Sequence, residues 1–360
     1  PSMYVSPAKQ IFKCFVCGAG GNAAQFLMNY EKLSFPEAIR TLAEQANIPL
    51  PKDYAPEPVA AGMSKNDLVA VTEFAADYFH QQLHDAAGKD ALDYARSRGL
   101  TDESIETFGI GYACDSWEAF LSAGKRKGFR EEQMVAAGLV RRRDGKNGCY
   151  DYFRNRLLFP IHDISGRVVA FGGRALAADE RAKYLNSPDS VLFDKSSLLY
   201  GLSFAREAIV QRRQAVVVEG YLDVLLPHQT GVTNVVATLG TSLTEGHVRM
   251  LSRYAQDVVL VFDADVAGAA AAERALELFL AQRLHVRVAT IPAGKDPCDF
   301  CLAEGGEAFG QLIDQAPDAL QYVWDQRFAA YLSAEGNLAE RNRLIEEFLS
   351  LVVSSGAYGA

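Results

Sequence analysis

Five acidic residues in the second half of the chain stand where chemistry is possible. Ala215-Val-Val-Val-Glu219-Gly-Tyr-Leu-Asp223 and Val258-Val-Leu-Val-Phe-Asp263-Ala-Asp265 are short apolar runs that each end in acid, and Gly294-Lys-Asp296 follows a third such run. Two carboxylates about 4 Å apart repel by roughly 4 kcal/mol at an effective dielectric of 20, so a cluster of them needs cations beside it. Hard divalent ions suit oxygen ligands, and Mg²⁺ typically takes a few carboxylates while keeping waters for a phosphate substrate. If Glu219, Asp223, Asp263, Asp265 and Asp296 gather, they predict an Mg²⁺ or Mn²⁺ phosphoryl-transfer site. The plainer alternative is that each Asp only caps the helix after its strand.

Gathering them is the task of the elements around them. Val-rich runs this short, bounded by Gly, read as fully buried strands of a parallel sheet. Between and after them the pattern predicts helices over 222–229, 244–255 and 266–280 and strands over 232–238 and 285–291. Helices alternating with buried strands are right-handed crossovers, which bring every strand's carboxyl end to one rim, where open α/β sheets bind ligands. The five acids should share that rim.

The chain's 360 residues, 49% hydrophobic and 22% charged, can bury more than one core. No apolar run approaches about 18 residues and no signal-peptide pattern opens the sequence, so the expectation is a cytoplasmic protein without a membrane partner. A net charge of −9 argues against a nucleic-acid partner until its distribution is seen. Residues 120–215 hold 18 Lys and Arg against 10 Asp and Glu, a surplus of eight, which leaves −17 for the remainder. A basic block beside an acidic metal rim is what a nucleotide polymerase needs, although a solvated charged face explains the charge alone equally well.

Within that block, Arg154, Arg156, Arg174, Lys183, Asn186 and Lys195 lie among aromatics and glycines in strand-like stretches. Arg grips phosphate with a fork and Lys supplies a point charge. For any one of them a surface ion pair is the commoner role; the group carries the reading. Earlier in the chain, Cys14-Phe-Val-Cys17 between a strand and glycines is half a zinc ribbon. A tetrahedral Zn²⁺ site needs two more ligands, and none of the six His (80, 84, 162, 228, 247, 285) lies near in sequence. Ser34-Phe-Pro-Glu37 is a capping box for a helix through 46. Four prolines in 49–65 have linker composition, apolar residues at helical spacing follow from Asn66, and Thr101 can cap a further helix. Zinc at Cys298 and Cys301 is not expected, since no second pair lies near them in sequence.

Glu219-Gly220-Tyr221 with Asp223, Asp263-Ala-Asp265-x-Ala-Gly268 and Lys295-Asp296-Pro297 resemble the topoisomerase–primase (TOPRIM) core, and Cys14-Phe-x-Cys17-Gly-x-Gly-Gly-Asn22-x-x-x-Phe26-Leu27 resembles the zinc-binding domain of bacterial DnaG-type replicative primases. The family's last motif reads Asp-Pro-acid, whereas Cys298 fills the final place here, with Asp299 next to it. The resemblance implies an α/β fold with a TOPRIM-type parallel sheet and flanking helices, preceded by an α+β basic subdomain and a partial zinc ribbon and followed by a helical tail. The expected segments are 1–48 (zinc ribbon), 49–65 (linker), 66–211 (basic subdomain), 212–299 (TOPRIM) and 300–360 (helical). It implies a primase that makes short RNA primers on single-stranded DNA from ribonucleoside triphosphates, with the replicative helicase as partner through a further region. Glu219, Asp263 and Asp265 would be catalytic, with Asp223 and Asp296 completing the metal site. Two rivals stand beside it: a TOPRIM nuclease or topoisomerase, and a non-catalytic nucleic-acid- or helicase-binding module.

Overall fold

The computed structural model describes residues 3–6, 9–14, 19–30, 38–39, 42–43, 63–143, 148–177, 180, 182–263, 276, 278–279, 282, 284–292, 295–333 and 337–354. The chain divides into two compact units, Pro1–Ser64 and Lys65–Ala360.

In the first unit β1 (Met3–Ser6) and β2 (Ile11–Cys14) pair antiparallel, and β3 (Gly20–Gly21) joins β2. Asn22 opens α1 (Ala23–Tyr30), its side-chain oxygen accepting the Gln25 amide at 2.9 Å. Phe12 meets Phe26 edge-on at 5.2 Å and fastens the helix to the hairpin. The capping box at Ser34 and nearly all of the expected linker lie outside the described residues.

The second unit opens with α2 (Lys65–His84), which buries Leu68, Val71, Ala75, Phe79 and Leu83 at helical spacing. After α3 (Lys89–Ser97), the Thr101 hydroxyl accepts the Ser104 amide at 3.2 Å and starts α4 (Asp102–Thr107), the cap expected from sequence. Next come β4 (Gly111–Ala113), α5 (Ala119–Lys127), α6 (Glu131–Ala136) and a hairpin of β5 (Val140–Arg142) and β6 (Cys149–Asp151). β7 (Arg156–His162), β8 (Val168–Ala175) and β9 (Tyr184–Asn186) complete an antiparallel sheet in the order β4-β7-β8-β9.

Beyond α7 (Leu202–Arg212) the topology changes to crossovers. β10 (Gln214–Val218), α8 (Tyr221–Gln229), β11 (Val235–Ala237), α9 (Glu245–Leu251), β12 (Asp257–Asp263) and β13 (His285–Ile291) form a parallel sheet in the order β11-β10-β12-β13. β11 is shorter than the expected 232–238, because the Val232 amide bonds the Pro227 carbonyl at 2.9 Å and closes the turn after α8 before pairing begins. The expected helix over 266–280 is described only at Leu276, Leu278 and Phe279. The helices α10 (Pro297–Asp314), α11 (Ala319–Ser333) and α12 (Leu338–Ser354) follow. Among the described residues no helix is long and apolar enough to cross a membrane.

Strand alternation explains how the two sheets share one unit. Leu157, Phe159 and Ile161 of β7 enter the same core as Val216 and Val218 of β10, Val259 and Val261 of β12, and Ala289 and Ile291 of β13. The opposite faces serve separate cores, Leu158 and Phe171 beneath α2, and Ala215, Val217, Val258 and Leu260 beneath α7 and α9. Tyr221, first in α8, lies flat on Phe159 with ring centroids 4.8 Å apart, and its hydroxyl donates to the Asn186 side chain at 2.6 Å. Gly172 makes room for that ring: a Cβ there would collide with it.

Candidate active site

All strands of the parallel sheet point their carboxyl ends the same way, and the acids follow those ends. Glu219 comes directly after β10 and is exposed. Val217 opposes Leu260, so Glu219, two residues on, and Asp263, three residues on, leave neighbouring strands within one residue of the same level. Asp263 closes β12 opposite Ile291, and Asp296 lies five residues past that partner. The side chain of Asp263 and the whole of Asp265 lie outside the described residues.

Two helices begin at this rim. α8 has Gly220 as its cap residue, and the Asp223 carboxylate accepts the Gly220 amide at 2.9 Å. Its second oxygen accepts the Cys298 amide at 3.3 Å, so one carboxylate ties together the first turns of α8 and α10. Asp296 caps α10 by accepting the Asp299 amide at 2.7 Å, with Pro297 at the first helical position, where a missing N–H costs nothing. Both helices therefore aim the positive ends of their dipoles at the rim, which favours carboxylates and phosphate there.

Cys298 is buried, and its thiol is pushed up to about 12 by burial first and then by the neighbouring carboxylates of Asp296 and Asp223. It stays protonated at neutral pH and adds no charge to the acidic group. Asp299, half-exposed, has an oxygen 3.8 Å from the Arg98 guanidinium. Arg98 belongs to the segment before the antiparallel sheet, and sequence reasoning passed over it.

The basic residues divide into different jobs. Arg154 lies over the Trp117 ring, its guanidinium carbon 3.4 Å from the centroid. Trp117 is 52% exposed and also meets Tyr150 edge-on at 5.6 Å and the Arg143 guanidinium at 5.8 Å. Arg174 donates to the Tyr184 hydroxyl at 2.5 Å and faces the Tyr94 ring at 5.3 Å. Lys183 is exposed, and Lys195 is half-buried, its carbonyl bonded to His247 at 2.8 Å.

Two of the expected residues are also held within the fold. Arg156 is only 4% exposed; it donates to the carbonyls of Gly173 and Ala182 and pairs with Glu180, because it opens a central strand and turns inward. Asn186 accepts from Tyr221 and donates to the Leu239 carbonyl at 2.7 Å, which makes it a tie between β9 and the parallel sheet. Trp117 and Arg143, which stand beside Arg154 and Tyr150, were not among the expected residues. An aromatic's exposure cannot be read from its type; a Trp beside Arg-rich stretches was the one available signal.

Three family models match in sequence order: the CHC2 zinc finger over residues 1–57, the DNA primase catalytic core N-terminal domain over 78–206, and the Toprim-like family over 216–301. The RNA polymerase domain of Mycobacterium tuberculosis primase DnaG is 34% identical, with a TM-score of 0.73 over 80% of this chain and 94% of that one. This chain belongs to the DnaG primase family. A DnaG primase catalytic domain solved with single-stranded DNA is 33% identical, TM-score 0.71, covering 81% of this chain and 90% of that one. A DNA primase of Halalkalibacterium halodurans is 45% identical over 355 residues, which are 97% of this chain and 58% of that protein. This chain thus spans little more than half the length of the curated DnaG relatives it matches.

Toprim-like and CHC2 matches imply divalent-metal and zinc binding in the family, and the residues here fit the two unequally. The rim offers carboxylate oxygens, the hard donors that Mg²⁺ and Mn²⁺ take; the Cys298 sulfur lies within 4.8 Å of carboxylate oxygens of Asp296 and Asp299, and as a neutral thiol it is a poor donor to such ions. For zinc, Cys17 lies outside the described residues, and among the described residues Cys14 belongs to no group of three metal-ligating side chains. Two thiolates are half of a structural Zn²⁺ site.

Proposed function

We propose that this chain carries the primer-synthesising centre of a DnaG-type primase, a nucleotidyltransferase that joins ribonucleoside triphosphates into short RNA on a single-stranded DNA template. One observation carries the reading: a carboxyl rim bearing Glu219, Asp263 and Asp296 and a basic sheet region in which Arg154 and Arg174 are laid on aromatic rings belong to the same compact unit, with Tyr221 and Asn186 bonded between them. The family relation and the solved relative bound to single-stranded DNA support it.

In this reading Glu219, Asp263 and Asp265 are the catalytic acids, and Asp296 shares the metal site with them. Bound Mg²⁺ or Mn²⁺ would lower the barrier by neutralising charge on the attacking 3′ hydroxyl and on the leaving pyrophosphate. Glu219 would exchange a proton with that hydroxyl, a role its exposure at a strand end supports. Asp223 would act by position, holding two helix starts together beneath the acids. Arg154, Arg174, Lys183 and Lys195 would guide template and nucleotide phosphates, Trp117 would stack on a template base, and Arg156 and Asn186 would be scaffold. The fivefold division of the chain (1–48, 49–65, 66–211, 212–299, 300–360), Zn²⁺ at Cys14 and Cys17 together with ligands from elsewhere, a replicative helicase partner and a cytoplasmic setting belong to the same proposal.

Asp263→Ala should abolish labelled ribonucleotide incorporation on a single-stranded template while leaving affinity for that template within about twofold, since its charge faces metal rather than DNA. Unchanged incorporation would eliminate the site. Trp117→Ala should weaken template binding by about tenfold, at the low end of what one base–aromatic stack is worth.

A further inference from the structure

A second cluster of metal-ligating side chains lies outside the acidic rim. His80 and His84 sit one turn apart at the end of α2, and Glu106 reaches them from α4. His80 Nε2 is 3.2 Å from Glu106 Oε2 and His84 Nε2 is 3.2 Å from Glu106 Oε1, with imidazole centroids 4.8 Å apart. A donor atom from each of the three residues falls within 4.8 Å of the others.

The other nitrogen of His80 decides what this geometry means. Nδ1 lies 2.8 Å from the Ile110 carbonyl oxygen, which can only accept, so Nδ1 carries the proton. A neutral His80 then turns the bare lone pair of Nε2 toward a carboxylate oxygen. That approach is repulsive unless a positive charge, either a second proton or a cation, is shared between them. A carbonyl-fixed Nδ1–H with Nε2 free to ligate is the usual outer bond of a metal-binding histidine. Nitrogen and oxygen ligands about 2.05 Å from a tetrahedral ion stand about 3.3 Å from each other, and each imidazole here stands at that spacing from its own oxygen of Glu106, as a chelating carboxylate would place them.

We propose that His80, His84 and Glu106 bind a borderline transition ion, Zn²⁺ in the first instance, with solvent completing the coordination. Two imidazoles and one carboxylate favour Zn²⁺, Co²⁺ or Ni²⁺ over Mg²⁺. The ion would be structural. It would brace the end of α2 against α4 and the chain entering β4, where Gly111 already lies so close to Phe79 that a Cβ would meet that residue's backbone at 2.8 Å. It is distinct from the expected ribbon zinc, since it uses none of the cysteines.

The test is equilibrium dialysis of the full chain against ZnCl₂ at neutral pH, in wild type, His84→Ala and Glu106→Gln, each also carrying Cys14→Ser and Cys17→Ser so that the ribbon thiols do not contribute. Both substituted side chains are well exposed, so the fold should survive them. The expected result is one equivalent more zinc bound in the parent than in either variant, a thermal midpoint about 5 °C higher at roughly 100 times Kd beyond any shift the variants share, and equal response of parent and variants to MgCl₂, whose binding at the acidic rim is common to all three. With Co²⁺ the parent should show visible absorption that His84→Ala removes. Absence of zinc binding in the parent, or equal binding and equal thermal shifts in parent and variants, would overturn the assignment.

Discussion

The two ends of β12 carry the same residue type and treat it in opposite ways. Asp257, at the amino end, accepts from Arg287 at 2.7 Å, from Gln214 at 2.9 Å and from His285 at 2.8 Å. Burial alone would push its carboxyl up, but these bonds outweigh burial and hold it below the usual carboxylate range. Asp263, at the carboxyl end, joins a rim where Glu219 is exposed and two helix N-termini converge. In a parallel sheet the amino edge receives loops leaving helix C-termini and can be closed by ordinary ion pairs. The carboxyl edge receives helix N-termini, which leaves positive dipoles and room for anions. In the proposed reading, an acid at the first end stabilises the fold and an acid at the second serves the chemistry.

The widest separation between the two ends should come from Glu219→Gln. Incorporation should fall by about 10²- to 10⁴-fold, with urea midpoint and template affinity unchanged; a fall of less than tenfold would remove Glu219 from the proton-transfer role. Asp257→Ala should do the reverse. It removes the carboxylate partner of Arg287, whose side chain is 16% exposed and keeps only the Ile313 and Asp314 carbonyls among the described residues, and should cost about 2–3 kcal/mol in urea unfolding while the rate per folded molecule holds within about twofold.

The pH dependence of stability sharpens the same contrast. Because the folded Asp257 carboxyl is depressed, the folded state binds fewer protons than the unfolded chain. Its contribution is therefore present above about pH 4 and is lost as pH falls through the depressed value. In Asp257→Asn the acid limb of the stability curve should be correspondingly shallower.

Asp223 is the intermediate case, an acid on the carboxyl rim that also holds structure, through two backbone amides in place of the charged partners of Asp257. Asp223→Ala should cost about 1 kcal/mol, the worth of a helix cap, and lower incorporation by about tenfold through displacement of Cys298 and Asp296. A rate loss as deep as that of Glu219→Gln, with stability intact, would show that Asp223 ligates metal instead of bracing two helices.

Much of the rim was legible beforehand because it rests on local rules. A buried Val run needs a strand, a strand followed by a helix needs a crossover, and crossovers put Glu219 and Asp263 on one edge whatever the rest of the chain does. The cap at Thr101 was legible for the same reason. Arg154 and Arg156 were indistinguishable in sequence, yet one lies on Trp117 and the other is buried against Gly173, because β7 is a central strand and period-2 alternation only fixes a side chain's direction once the partners are known. That the Asn186 side chain accepts from Tyr221 was likewise outside any local pattern.

By itself the sequence determined which residue types end the strands, hence the acidic chemistry and the α/β class, since both follow from short-range periodicity and charge. The tertiary structure alone decided which acids are already spoken for, which cations face solvent, and that His80, His84 and Glu106 converge. Those outcomes depend on pairings across tens of residues, set by packing two sheets on one core, and no local pattern encodes the partner a side chain meets after that packing is complete.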